Sequence, residues 1–335
     1  MNGNPTRVLC FGELLLRLSS PRGEAMLQAS RLDAHFGGAE GNVAVALARL
    51  GVASAMVSAV PDDAIGDAAV DSLRKAGVDV SRIARAPGRL GLYFLTPPAG
   101  ASAGSVIYDR ADSAFASSRG YDWNALLEGA DWLHLSGIVP ALGPEMAEVG
   151  LAAIAAARAA GVRVSFDGNF RASLWARWCP DPGPVLAACI GGADLLFGSH
   201  RDLSLGLGRE LPGVTGEDRR NAALAAFERF PHLATIAATG REIVAADHHR
   251  LSARIDTPAE AFAAGAIDVT GIVDRIGTGD AFVAGVLAHL DDGLEAAATT
   301  GLALAALKHG IAGDHGTATP RDLAAFAADL ADVRR

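Results

Sequence analysis

Short apolar runs of strand length alternate along most of the chain with longer, alanine-rich stretches whose apolar residues recur at helical spacing. Arg7–Phe11 reads as a first strand, and Asn42–Leu50 as a helix stopped by Gly51, where glycine can take the left-handed turn that ends a helix. Ala53–Val60 then reads as a strand and Asp67–Ala76 as a helix ending at Gly77. Further along come strand Trp132–Leu135, helix Pro144–Ala160 with its stop at Gly161, strand Val162–Phe166, helix Val185–Ile190 and strand Asp194–Phe197. Helix Asp218–Phe230, strand Ala234–Ala238 and two terminal helices, about Gly279–Leu290 and Leu294–Lys308, complete the series. This βαβ rhythm predicts an α/β fold: a mostly parallel central sheet with helices on both faces, whose ligands bind at the carboxyl ends of the strands.

The rhythm breaks twice, at about residues 12–37 and 89–113, where short alternating strands replace helices: Leu14–Leu18, Arg31–Phe36, Gly91–Thr96 and Ser105–Tyr108. Two such segments inserted in a βαβ frame can pair into a small β-sheet lid over the ligand edge, or stand apart as two surface hairpins. The expectation is one domain over residues 1–335 with the lid inserted in its core. Cys179-Pro-Asp-Pro-Gly-Pro184 reads as a loop leading into a helix.

The chain's 335 residues suffice for a large hydrophobic core. Its net charge of -9, from 38 acidic against 29 basic residues, argues against a nucleic-acid or anionic-membrane binder. The first apolar run, Val8–Leu18, is broken by Glu13 and Arg17 and carries no basic leader, and no membrane-spanning run follows, so a cytoplasmic protein is expected. Cys10, Cys179 and Cys189 are scattered without metal or disulfide spacing and read as small apolar side chains. Lys75 and Lys308 are the only lysines, and neither sits in the GxxxxGK[ST] frame of a phosphate-binding P-loop.

The sharpest local feature is Asp274-Arg-Ile-Gly277-Thr-Gly279-Asp280-Ala-Phe-Val-Ala-Gly285. Its glycines leave the backbone bare where a long apolar helix begins, so consecutive N–H groups can face an anion with the helix dipole behind them. Asp280 in the first turn suits two roles: an ordinary helix cap, or a general base beside an oxyanion-binding backbone. A second segment, Gly37-Gly38-Ala-Glu40-Gly41-Asn42-Val-Ala-Val-Ala-Leu-Ala-Arg-Leu-Gly51, pairs glycines that let a ligand approach with an asparagine able to cap the helix or to bind a polyol. Its glycine spacing is not the GxGxxG dinucleotide fingerprint.

Together the two segments resemble the signatures of the ribokinase-like (PfkB) carbohydrate kinases, GG-x-x-x-N-x-A-x-x-x-A-x-LG and D-x-x-G-x-GD, and the likeness spans about residues 6–320. The resemblance implies a three-layer α/β domain with a β lid, and transfer of the γ-phosphoryl group of ATP, with Mg²⁺, to a sugar hydroxyl. It also implies Asp280 as the base, and the amides of Gly277, Thr278 and Gly279 as an anion hole. Gly91-Leu-Tyr93-Phe, Val106-Ile-Tyr108-Asp-Arg110, Leu133-His-Leu-Ser136-Gly137-Ile138 and Ser165-Phe-Asp167-Gly-Asn169-Phe-Arg171-Ala-Ser-Leu-Trp175 resemble the 2-keto-3-deoxygluconate kinases within that family. That likeness places Gly38, Asn42, Tyr93, Tyr108, Arg110, Ile138, Asn169 and Arg171 around the substrate. A sugar acid needs a guanidinium for its carboxylate, which Arg110 and Arg171 can supply together, unless either is a surface ion pair.

The nucleotide half departs from the family pattern. Ser199-His-Arg-Asp202 replaces the usual N-x-x-E, and Ala238-Thr239-Gly240-Arg241-Glu242 replaces K-x-G-x-x-G. Ser199, Asp202, Thr239, Gly240 and Lys308, with Gly277 and Gly279, are the expected ATP contacts, and no residue is assigned as a metal ligand. Lys308-His309 would lie on the adenine side in the family's layout, or serve as a last-turn cation. His248 and His249, adjacent on a strand, are read as a solvent-exposed pair. Two other functions stay open: a kinase of the same family for a neutral sugar such as fructose or ribose, and a non-catalytic sugar or nucleotide sensor. A homo-oligomer joined through the lid strands is expected.

Overall fold

Nine strands form the central sheet of the computed structural model, which describes residues 7–100, 102–245 and 247–333. In chain order the strands are β1 (Arg7–Phe11), β2 (Leu15–Ser19), β3 (Asp33–Gly37), β4 (Ala53–Val60), β5 (Ile83–Arg85), β6 (Gly91–Thr96) and β7 (Ser105–Asp109). They continue with β8 (Trp132–Ser136), β9 (Arg163–Asp167), β10 (Leu195–Phe197), β11 (Thr235–Ala245), β12 (His248–Asp256) and β13 (Ala261–Thr270). The large sheet runs β13-β12-β11-β10-β9-β8-β1-β4-β5, parallel from β5 through β11 and antiparallel at the β11-β12-β13 edge.

Continuous apolar runs such as Val8-Leu-Cys-Phe11 and Leu195-Leu-Phe197 make the middle strands because both faces of the sheet are covered. On one face the helices Ala39–Arg49, Ala64–Ala76, Thr278–His289 and Leu294–Lys308 share a core with Val8, Met56 and Phe197. On the other, Pro144–Ala159, Gly183–Gly191, His200–Leu207 and Gly216–Arg229 pack with Leu9, Leu133 and Phe166. Helices Thr278–His289 and Leu294–Lys308 touch through glycine: a Cβ on Gly285 would lie 2.6 Å from Gly301 Cα. A final helix, Pro320–Val333, follows.

The two predicted insertions do pair. Their strands form a separate sheet, β3-β2-β6-β7, with β2 parallel to β6 and both outer pairs antiparallel. The edge of the large sheet differs from expectation. The strand expected to end at Ala238 runs to Ala245; β12, of which only His248 and His249 were expected on a strand, alternates buried Leu251, Ala253 and Ile255 with the less buried Arg250, Ser252 and Arg254; and the alanine-rich β13 was not expected. The helix expected from Asn42 starts at Ala39, and a helix forms at His200–Leu207 where none was expected. Among the described residues no helix is long and apolar enough to cross a membrane.

Candidate active site

Helices Ala39–Arg49 and Thr278–His289 begin side by side at the carboxyl ends of the central strands, and their first turns meet through one hydrogen bond: Asn42 Nδ2 donates to Asp280 Oδ2 at 2.7 Å. This decides two alternatives left open by the sequence. Asn42 caps nothing; it lies inside its helix and holds the aspartate. Asp280 is not a cap either, because the cap position belongs to Gly277 in the left-handed region (φ 79°), and no side chain caps the helix. The first-turn amides have no intrahelical acceptors and so are free for an anion. A Cβ on Gly277 would overlap the Asp314 carbonyl oxygen, whereas one on Gly279 would meet no protein atom, so Gly279 borders open cavity.

Asp280 lines a cavity of about 300 Å³ together with Gly38, Asn42, Tyr93, Tyr108, Arg110, Ile138, Asn169, Arg171, Gly277, Thr278 and Gly279. All the residues expected around a substrate, and the expected anion hole, therefore share one space, joined there by Asp167, Arg241, Arg275 and Asp314. Gly38 is glycine of necessity: its φ is 136°, and a Cβ would overlap Glu13's carbonyl oxygen. Tyr93 and Tyr108, on paired strands of the small sheet, stand with ring centroids 6.0 Å apart. Asn169, in the turn after β9, holds φ at 38° and donates its backbone N–H to Asp167.

Burial pushes the Asp280 carboxyl up to about 7; nearby Glu40 and Asp314 push the same way, and the Asn42 bond opposes them. Burial also raises Asp167, to about 8, with Asp280 and Asp202 adding repulsion and Arg171 offsetting part of it. Asp314 rises to about 6 for the same first reason, countered chiefly by Arg17. Asp314 accepts a short hydrogen bond from Tyr93 Oη. Arg17, 2% exposed on β2, reaches Asp314 at 3.2 Å and Asp274 at 2.7 Å, so buried ion pairs fasten the small sheet to the Asp274–Gly277 turn.

The two arginines expected to hold a carboxylate differ in their surroundings. Arg110 is buried and its Nε and Nη2 are both committed to Glu13 Oε2 at 2.6 Å, with Glu13 Oε1 also taking the Ser113 hydroxyl. Its charge is thus already neutralised inside the protein. Arg171, by contrast, bonds only the neighbouring Phe170 carbonyl at 3.2 Å and keeps its charge for the cavity.

The expected nucleotide contacts divide. Ser199, Thr239 and Gly240 line a second cavity of about 230 Å³ with Ser252 and Arg254. Asp202 instead completes a capping box for helix His200–Leu207, its Oδ2 taking Ser199 N at 2.7 Å and Ser199 Oγ at 2.9 Å. Lys308 lines neither cavity; it is 1% exposed, lies against Gly277, and donates to the Ile311 carbonyl. The histidine pair is also corrected. His248 joins Asp268 at the surface, but His249 is fully buried with its ring edge-on to His309. Among the described residues no cluster of three or more His, Cys, Asp or Glu side chains is arranged for a metal ion.

Glu13, Arg17, Glu40 and Asp314 were missed. Glu13 and Arg17 had shown themselves only as charges breaking an apolar run; Glu13, between β1 and β2, and Arg17, on β2, are both buried in ion pairs. Glu40 lies in the glycine segment that opens helix Ala39–Arg49; it is 1% exposed and accepts from the backbone N–H of Ser136.

Comparison with known proteins agrees with this geometry. A family model described as "pfkB family carbohydrate kinase" matches residues 5–320. A 2-dehydro-3-deoxygalactonokinase of Haloferax volcanii is 33% identical over 94% of this chain and 95% of its own. A 2-dehydro-3-deoxygluconokinase of Bacillus subtilis is 30% identical over 94% of each. The crystal structure of a 2-dehydro-3-deoxygluconokinase from Thermotoga maritima superposes with a TM-score of 0.92 at 32% identity, covering 98% of this chain and all of that one.

Proposed function

The chain belongs to the pfkB family of carbohydrate kinases, and from that premise we propose that it phosphorylates the terminal hydroxyl of a sugar acid, 2-keto-3-deoxygluconate, giving the 6-phosphate. The observation that carries the sugar-acid reading is Arg171, a guanidinium without an acidic partner facing the cavity that holds Asp280. A neutral sugar offers it only uncharged oxygen acceptors, whereas a carboxylate brings the opposite charge and can take two of its N–H groups. The relatives named for 2-dehydro-3-deoxygluconate support the same substrate. A second reading, the galactonate epimer, is favoured by the Haloferax volcanii relative; both acids offer the same carboxylate and terminal hydroxyl.

In this reading Arg171 and the Tyr93–Tyr108 face orient the acid while the small sheet, acting as a lid, keeps water out. Asp280 takes the hydroxyl proton as the oxygen attacks the γ-phosphorus, and the bond to the bridging oxygen breaks to release ADP. The Gly277–Gly279 amides meet the phosphoryl oxygens. Mg²⁺, when bound with ATP, supplies charge neutralisation on the phosphates, and Asp167 would hold it. The donor set fits, because an ion of this kind needs only one or two carboxylates beside the phosphates, and a cation would favour the charged form of Asp167 that burial first, and the Asp280 and Asp202 charges next, disfavour. Lid-to-lid pairing of two copies through β7, where Ile107 is 60% exposed, belongs to the same proposal.

Arg171→Ala is the first test. Loss of a charge-assisted contact is expected to raise KM for the sugar acid about 10- to 100-fold with little change in KM for ATP. An unchanged KM for the acid would remove the carboxylate from Arg171. The pH profile is a second. A base must be deprotonated to act, so kcat/KM is expected to fall as pH drops through about 7, the value to which burial lifts Asp280. An acid limb lying near pH 4, the range of an ordinary exposed carboxylate, would contradict that role.

A further inference from the structure

Besides Arg171 and the Glu13-bound Arg110, two more guanidinium groups line the Asp280 cavity, those of Arg241 on β11 and Arg275 in the turn before Gly277. Among the described residues neither side chain makes an ion pair or hydrogen bond, in contrast to Arg17 and Arg110, which are held by buried acids. The nearest acids in sequence are committed elsewhere. Asp274 accepts from Arg17, from Gly313 N and from Ile276 N, and Glu242 faces Arg250. Nothing below supplies negative charge either, since the groups packed there are His249 and His309, whose rings burial holds neutral and which feel both arginines as repulsive. Burial and the neighbouring Arg275 charge also lower Arg241. Two like charges set together without an acid are unfavourable until an anion joins them.

The position identifies the anion. Arg275 stands two residues before Gly277, so the pair borders the same end of the cavity as the free first-turn amides, and a chain of phosphates can reach both. No lysine is available for that duty: Lys308 is buried behind the turn on the Ile311 carbonyl, and Lys75 is in the last turn of Ala64–Ala76. We propose that Arg241 and Arg275 form a two-guanidinium clamp for the polyphosphate of the phosphoryl donor, standing where the altered Ala238–Glu242 segment has no lysine. The cavity's cations then divide between two anions, with Arg171 serving the sugar's carboxylate and Arg241 and Arg275 serving phosphate. The clamp rests on the kinase assignment but not on which sugar is the acceptor.

Inorganic tripolyphosphate is the probe, titrated calorimetrically into wild-type protein and into Arg241→Ala, Arg275→Ala, Arg275→Lys and Arg171→Ala. Each clamp alanine is expected to weaken binding about tenfold or more, the value of one charge-assisted contact. Arg275→Lys should retain part of the affinity, having charge without the fork. Arg171→Ala should stay within about twofold of wild type, and KM for ATP should follow the tripolyphosphate affinities while KM for the sugar does not. Because both clamp side chains are unpaired, their alanine variants should unfold at or above the wild-type temperature when no anion is present. The clamp is refuted if wild-type protein fails to bind tripolyphosphate, if both clamp alanines bind it within twofold of wild type, or if Arg171→Ala loses as much as they do. None of these outcomes depends on the sugar, so failure of the sugar-acid assignment would appear separately, in substrate turnover.

Discussion

Asparagine in place of Asp280 is expected to lower kcat by about 10²- to 10⁴-fold, the share that a positioned general base supplies, while the protein stays folded. The substitution keeps the shape of the side chain and an oxygen able to accept from Asn42 Nδ2, so the contact between the two helix starts survives. It also removes a buried charge that Glu40 and Asp314 repel, so the unfolding temperature should be unchanged or higher. Measured kcat together with a thermal melt separates the two effects. Turnover within about tenfold of wild type would show that Asp280 is not the base.

Glu13→Ala is expected to lower stability by about 3–5 kcal/mol, because it strands the buried Arg110 without the acid that pairs it. Ser113 loses an acceptor in the same step. Replacing both members, as Glu13→Leu with Arg110→Met, should recover much of the loss, since no charge of the pair then remains buried. Urea unfolding of the two variants reads this directly. A loss below about 1 kcal/mol for Glu13→Ala would mean that the arginine finds water or another anion, as it would if its charge were free for a substrate.

What could be read from the sequence was what is local. The parallel strands of the large sheet declared themselves because strands buried on both faces are runs of apolar residues, and β1 and β4 have the bounds expected of them; β6 of the small sheet, read from its alternation, has them too. Gly277, Asp280 and Asn42 were legible as a glycine turn and a helix start. The bond between Asn42 and Asp280 spans 238 positions and was not. The same limit hid Asp314, which reaches the cavity from the loop after helix Leu294–Lys308, and the Glu13–Arg110 pair, 97 positions apart, which gives an expected ligand an acid partner inside the protein. Ser199-x-x-Asp202 was read for its chemistry when its spacing is equally that of a capping box, and the missed helix His200–Leu207 follows from that. The edge strand β13, and β12 beyond His248 and His249, were missed because alanine, glycine and charged residues give their alternation little contrast.

The net charge of -9 gave no hint of an anion site. Whole-chain charge is blind to it because the positive potential comes from first-turn amides and from arginines left unpaired around one cavity, while acids such as Asp274 and Asp202 are spent on ion pairs and caps.

Whether this kinase recognises a carboxylate on its sugar is decided by ATP-dependent turnover of the wild-type enzyme on 2-keto-3-deoxygluconate, its galactonate epimer, fructose and ribose under one set of conditions. A kcat/KM for one or both acids about a hundredfold or more above that for either neutral sugar is expected, the discrimination that a charged contact confers. A kcat/KM for fructose or ribose equal to or above that for both acids would show that no such recognition takes place.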